Sequence, residues 1–370
     1  MRPRRCPWLT VVLALSTSSS IGFGVSPAQE PPASIRRFFA PPEEFQDDLG
    51  VYKSPLKFED GRTVRTAADW ADRRREILKS WHAAMGAWPP LLERPEIHDL
   101  ETVRREDFTQ KRVRLQVAPD RTVEGYLLVP DGKGPFPAML VVFYEPETAI
   151  GKGKARLDFA YELARRGFVT LSIGFDPRVI DTQKSEFKIQ PLTYLAYVAA
   201  NSYNAMARRP EIDPKRIGVM GHSYGGKWAM FASCLYDKFA CAVWSDPGIV
   251  FDEPRSNVNY WEPWYLGWES GRTRDPGLVT AANPRTGAYK TLRESGHDLH
   301  ELHALMAPRP FLVSGGSEDP TERWKSLNHA IAVNKLLGRK AAVAMTNRAD
   351  HTPSPESNEQ IYQFLKHVLR

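Results

Sequence analysis

The chain has 370 residues, 42% hydrophobic and 25% charged, which is enough to enclose one large core. Its formal net charge of +6 falls to +3 without residues 1–28, which hold three arginines and no acidic residue. So mild an excess, with no dense Lys/Arg block, speaks against a dedicated nucleic-acid binder.

The N-terminus reads as an export signal over 1–28. Arg2, Arg4 and Arg5 form a basic region, an apolar run spans 8–15, and Ser26-Pro27-Ala28 supplies small residues for cleavage. That run is too short to cross a bilayer comfortably, and no later stretch looks membrane-spanning. Cys234 and Cys241 lie in apolar surroundings and read as buried free thiols. Residues 29–105 are expected to form a linker and a helical extension. Within them Thr66 caps an amphipathic helix to Met85, with Trp70, Ile77, Leu78, Trp81 and Met85 on one face and Gly86 at its end.

From 106 to 370 the pattern predicts one α/β domain with a mostly parallel sheet flanked by helices. Two alternating stretches, 108–117 and 123–129, suit an antiparallel pair around Pro119-Asp120. Continuous apolar runs at 138–143, 168–172, 217–220, 240–244, 310–314 and 341–345 suit buried parallel strands. Helices are expected over 157–166, 192–208, 227–236, 321–337 and 359–369, and such alternation specifies a sheet covered by helices. An insertion of about 247–307 carries Tyr260, Trp261, Trp264, Tyr265 and Trp268. Aromatics this dense suit a pocket wall, a lid or a small satellite core.

The chemistry centres on Gly221-His222-Ser223-Tyr224-Gly225, a G-x-S-x-G run directly after the apolar strand 217–220. A strand, tight turn and helix there would push Ser223 out at the sheet end as a nucleophile. Serine needs a general base held by a carboxylate. His351 lies in a loop after the last apolar strand, where catalytic groups collect, and is the expected base. Asp319, after Gly315-Gly316-Ser317, is the expected acid, with Asp246 and Glu318 as alternatives. His222 is expected to point away from the base position. The backbone N–H of Tyr224 and one from Tyr144 or Glu145 would serve the oxyanion. His297, His300 and His303 share one helical side, but Leu299, Leu302 and Leu305 share the same spacing, so a packed helix is expected rather than a metal site. No cofactor is called for.

These residues resemble the α/β-hydrolase superfamily over roughly 106–370, and most nearly its dienelactone-hydrolase-like and acetyl-xylan-esterase-like exported members. The resemblance implies a serine carboxylic-ester hydrolase with Ser223, Asp319 and His351 as its triad, acting on a carbohydrate-linked or other small acyl ester. A peptidase of the prolyl-oligopeptidase type and a catalytically silent binding module are the alternatives. Residues 70–77, with Gly86 and Pro89, are also similar to the N-terminal helix of glucuronoyl esterases, which carry G-x-S-R-x-G-K. Lys227 matches that lysine, which implies a sugar contact, although a solvated first-turn lysine would read the same way. Tyr224 stands where those enzymes have arginine. Glu145, Lys227, Trp261 and Trp264 are the further expected substrate contacts.

Overall fold

The computed structural model describes residues 30–179 and 189–370. The expected export signal lies outside the described residues. A short turn α1 (Ala33–Arg36) precedes α2 (Ala67–Met85). The sheet then builds from β1 (Ile97–Arg104), β2 (Phe108–Ala118), β3 (Arg121–Pro130) and β4 (Phe136–Phe143). After α3 (Phe159–Arg165) come β5 (Val169–Gly174), α4 (Pro191–Met206), β6 (Ile212–His222), α5 (Tyr224–Leu235) and β7 (Ala242–Ser245). The insertion holds α6 (Gly287–Glu294) and α7 (His300–Leu305). The chain closes with β8 (Phe311–Gly315), α8 (Trp324–Leu336), β9 (Val343–Asn347) and α9 (Pro355–Leu369).

The nine strands lie in the order β1-β2-β3-β5-β4-β6-β7-β8-β9. β1, β2 and β3 pair antiparallel, β3 meets β5 antiparallel, and all pairs from β5 to β9 are parallel. The parallel strands are apolar on both faces because helices cover both sides. Leu140, Val219 and Val313 belong to a core shared with α2, α4, α5, α7 and α8. Val141, Met220 and Leu312 face the other way, onto α3 and α9. The chain moves outward from β4 to β5, then returns to place β6 on the opposite side of β4. Ligands gather outside the carboxyl ends of strands at such a switch point, and that is where β6 delivers Ser223.

Helix α2 begins on a capping box: the Asp69 N–H donates to Thr66 Oγ1 (3.1 Å) and the Thr66 N–H donates to Asp69 Oδ2 (3.0 Å). Its buried face is Trp70, Arg73, Ile77, Trp81 and Met85, while Leu78 is half-buried. The helix is tied to the insertion through the buried carboxylate of Glu301. Trp81 Nε1 donates to Glu301 Oε2 (3.0 Å), His297 Nδ1 lies 2.7 Å from the same oxygen, and the Arg73 guanidinium stands 3.8 Å from Oε1.

The sheet starts earlier than 106, since β1 adds an edge strand from Ile97. Seven of its eight residues are exposed, so it has no apolar alternation to read. Pairing with β2 holds it, helped by Lys111–Asp99 (2.6 Å) and Arg112–Glu101 (3.4 Å). Cys234 and Cys241 are buried and free, and burial pushes the Cys234 thiol up to about 12. Among the described residues no helix is long and apolar enough to cross a membrane.

Candidate active site

The turn from β6 into α5 leaves no room for side chains at its glycines. A Cβ on Gly225 would stand 2.1 Å from the Val142 carbonyl oxygen, and one on Gly221 2.2 Å from that of Gly225. Between them Ser223 takes φ 56° and ψ −115°, a backbone conformation that costs a non-glycine residue about 1–3 kcal/mol. Its N–H donates to the Ser245 carbonyl (2.8 Å), which ties the elbow to the end of β7.

His351 Nδ1 lies 2.7 Å from Asp246 Oδ2. Asp246 is the first residue after β7, is fully buried, and takes a left-handed φ of 51° that turns its side chain toward the histidine. Its Oδ1 accepts from the N–H groups of Gly316 (2.6 Å) and Asp319 (2.9 Å), and more distantly from Glu318 (3.2 Å). Burial would raise the Asp246 carboxyl, but the bond to His351, the charges of Arg348 and His351 and the Gly316 N–H outweigh it. The carboxyl sits below its ordinary value and stays ionised.

The expected partnership of Asp319 with His351 is not what the structure holds. Asp319 is fully buried and accepts from the N–H groups of Gly248 (2.8 Å) and Ile249 (2.6 Å). Burial and the charge of Asp246 push its carboxyl up to about 6. The loops after β7 and β8 therefore exchange carboxylates, each gripping the backbone of the other. Gly316 has no room for a Cβ, which would stand 2.3 Å from the Asp350 carbonyl oxygen and 2.7 Å from Asp246 Oδ2. Glu318 is also turned away from His351, and its Oε1 accepts from Asn257 Nδ2 (3.2 Å).

His222 does not point away from the expected base position. Its ring centroid is 4.7 Å from that of His351, and its Nδ1 is 3.1 Å from Ser245 Oγ. Burial first, then the charges of His351 and Arg348, lower it to about 3, so it is a neutral neighbour. Arg348, which sequence reasoning missed, holds the His351 loop in place. Its guanidinium donates to the carbonyls of Ser314 (2.8 Å) and His351 (2.6 Å). Its only sequence signal is its position three residues before His351 in the loop after β9.

Tyr224 opens α5, so its N–H points from the helix N-terminus beside Ser223. Its ring stacks on that of Tyr144 (4.9 Å, 16°), which follows β4 and is 40% exposed. Tyr144 and the exposed Glu145 line a cavity of about 470 Å³ with Arg121, Phe175 and Asp176. The Glu145 carboxylate accepts from Thr148 Oγ1.

Lys227 is not the solvated lysine its place in the first turn allowed. Only 3% exposed, it donates from Nζ to the Pro247 carbonyl (2.5 Å) and reaches that of Asn257 (3.4 Å). It lies over the Tyr260 ring (4.9 Å). Burial lowers it to about 8 against the pull of Asp319, Glu318 and Asp246. Trp261 is not an open contact surface. It is 1% exposed, and Nε1 donates to the Gly277 carbonyl (2.9 Å) inside the insertion. Trp264 is half-buried beside Tyr265 (6.1 Å). The insertion builds a satellite core whose Tyr260 packs on Phe231 of α5 (6.2 Å) and whose Tyr265 packs on Tyr224 (5.5 Å). It thereby walls α5.

His297, His300 and His303 do not converge on a metal. His300 Nε2 is 2.6 Å from the Lys53 carbonyl, and the buried His303 ring packs 5.3 Å from Trp244. No group of three metal-ligating side chains is poised to hold an ion among the described residues.

Residues 198–370 match the Prolyl oligopeptidase family. Carbohydrate esterase MZ0003, from an unknown prokaryotic organism, is 26% identical over 174 residues, which is 43% of this chain and 35% of that protein. The chain thus spans about a third of that relative's length. Among solved structures, a glucuronoyl esterase from Solibacter usitatus aligns with a TM-score of 0.71 at 16% identity, over 88% of this chain and 100% of that one. A glucuronoyl esterase from Teredinibacter turnerae aligns at 0.64 with 18% identity, over 89% and 91%. At such identities the structural likeness speaks for the fold, which the sheet order and the elbow after β6 share with those esterases.

Proposed function

We propose that this protein is an α/β-hydrolase, an exported serine esterase that cleaves a carbohydrate-linked or other small acyl ester through an acyl-enzyme. The observation that carries the reading is the 2.7 Å bond between His351 Nδ1 and the buried, ionised Asp246, formed beside an elbow that strains Ser223. With Nδ1–H donated to Asp246, His351 keeps Nε2 as a base. Ser223 Oγ attacks the ester carbonyl carbon and passes its proton to Nε2. The tetrahedral oxyanion is held by the Tyr224 N–H and, across the end of β4, by the Tyr144 N–H. Collapse breaks the ester C–O bond, and the alcohol leaves with the proton from His351. Water then attacks the acyl-enzyme, giving its proton to His351, and the carboxylic acid departs as Ser223 recovers its hydrogen.

The sugar class is supported by the relatives' names and by Tyr144, an exposed ring beside the candidate nucleophile on which a pyranose can stack. Export is supported by the basic and apolar start of the chain. Wild-type protein and Ser223→Ala are to be compared on an activated acetyl ester and on acetylated, feruloylated and glucuronoyl sugar esters. The reading expects turnover by wild type and a loss of about 10⁴-fold or more in the variant. Equal rates in the two would end it. The match to the Prolyl oligopeptidase family favours one second reading, a peptidase. Cleavage of an X-Pro peptide faster than any ester would select it.

A further inference from the structure

Lys227 sits at an unusual junction. It is one turn into the helix that Ser223 opens, and its own N–H donates to the Ser223 carbonyl (3.0 Å). Its ammonium leaves that helix inward and meets the carbonyl of Pro247, the residue after Asp246 (2.5 Å). One side chain therefore adds a second link between the candidate nucleophile's helix and the candidate acid's loop, beside the bond from the Ser223 N–H to the Ser245 carbonyl (2.8 Å). The groups facing it are Asp246 after β7, Glu318 and Asp319 after β8, and the rings of Tyr260 (4.9 Å) and Tyr265 (5.6 Å) from the insertion. The same segment is gripped from its other side, where Asp319 accepts from Gly248 and Ile249. Burying an ammonium is costly unless its donors are used, and here two backbone carbonyls and an aromatic face take them up. Nothing in this arrangement directs the ammonium at a bound substrate.

We propose that Lys227 is a positioning residue: it braces the Pro247 carbonyl, and so holds Asp246 against His351, instead of binding the sugar of the substrate. The proposal rests on the esterase reading above. A brace acts on every substrate alike and on the chemical step. A ligand acts on the substrates that carry the group it binds, and on their affinity.

The test compares wild type and Lys227→Met, which keeps an apolar stem of similar length, on a sugar-free activated acetyl ester and on an acetylated xylose. Folding is checked by near-ultraviolet circular dichroism. The brace predicts a fall in kcat of roughly 10- to 100-fold on both esters with KM within about twofold, since a buried charge-assisted bond of that strength is lost. A rise in KM confined to the sugar ester overturns the proposal, as do wild-type kinetics on both. Should the variant not fold, the wild-type pH profile decides. Deprotonation of Lys227 near 8 lowers kcat on both esters if Lys227 braces the loop, whereas an alkaline change confined to KM for the sugar ester overturns it. Ser223→Ala measured in parallel separates the two ideas: lost turnover there beside unchanged kinetics in Lys227→Met rejects the brace and keeps the esterase.

Discussion

The loops after β7 and β8 carry two carboxylates in nearly equivalent places, at the carboxyl ends of adjacent parallel strands. Both are fully buried, and each accepts backbone N–H groups from the other's loop. Yet Asp246 turns Oδ2 to His351 and stays ionised, while Asp319 spends both oxygens on Gly248 and Ile249 and is driven toward its neutral form. The same residue type in adjacent loops thus becomes a charge beside an imidazole in one and a backbone clamp in the other. The difference lies in the imidazole that faces one carboxylate and not the other, and Asp246 takes its place there with a left-handed φ of 51°.

The sharpest way to break this comparison is to neutralise each carboxylate in turn. Asp246→Asn is expected to lower kcat by about 10³–10⁴-fold, because an amide facing Nδ1 favours the wrong imidazole tautomer. Asp319→Asn loses one of two bonds to backbone N–H groups and is expected to cost no more than roughly tenfold. Steady-state rates on the acetyl ester measure both, and a reversed order would reassign the acid.

A second contrast lies in stability against pH, followed by denaturant unfolding. Asp319 holds its proton up to about 6 when folded and ionises near 3.8 when unfolded. The native state then binds more protons in that window, and stability falls as pH rises from about 4 to about 6. Asp246 is depressed instead, so its contribution is present above the unfolded value and is lost only as pH drops below it. Asp319→Asn should flatten the first slope and leave the second. Lys227 gives a third signature in the same titration. Its proton leaves near 8 in the native state and near 10.5 in the unfolded chain, so stability rises with pH between the two. The rise is roughly 3 kcal/mol, and Lys227→Met should abolish it.

The smallest effect is expected farthest from the two loops. Thr66→Ala removes one half of the α2 capping box and should cost about 1 kcal/mol of stability, read as a shift in denaturant midpoint, with kcat unchanged.

Much of this could be read from the chain before any coordinates. Apolar runs marked the buried strands, and Gly221 and Gly225 marked an elbow that only missing Cβ atoms permit. Edge strand β1 was illegible because its side chains face water and its order comes from its partner. The acid was half-legible. Gly315-Gly316-Ser317 signalled a sharp turn beside a carboxylate, but Gly316 makes room for the Asp350 backbone and for Asp246 from the neighbouring loop, not for the Asp319 side chain. Lys227 was illegible for a similar reason. What buries it is Tyr260 and the loop at Pro247, and nothing in its own helix announces them.

Glu301 bears on how this protein can be cut. Its carboxylate is almost wholly shielded from water, and two of its three partners, Arg73 and Trp81, come from α2, more than two hundred residues earlier. A fragment starting at 106 would keep every strand from β2 onward and all of the candidate triad. It would also strip Trp70, Ile77, Trp81 and Met85 from the shared core and take two of its three partners from Glu301. The helical extension and the sheet therefore share one core, and an expression boundary belongs upstream of Thr66.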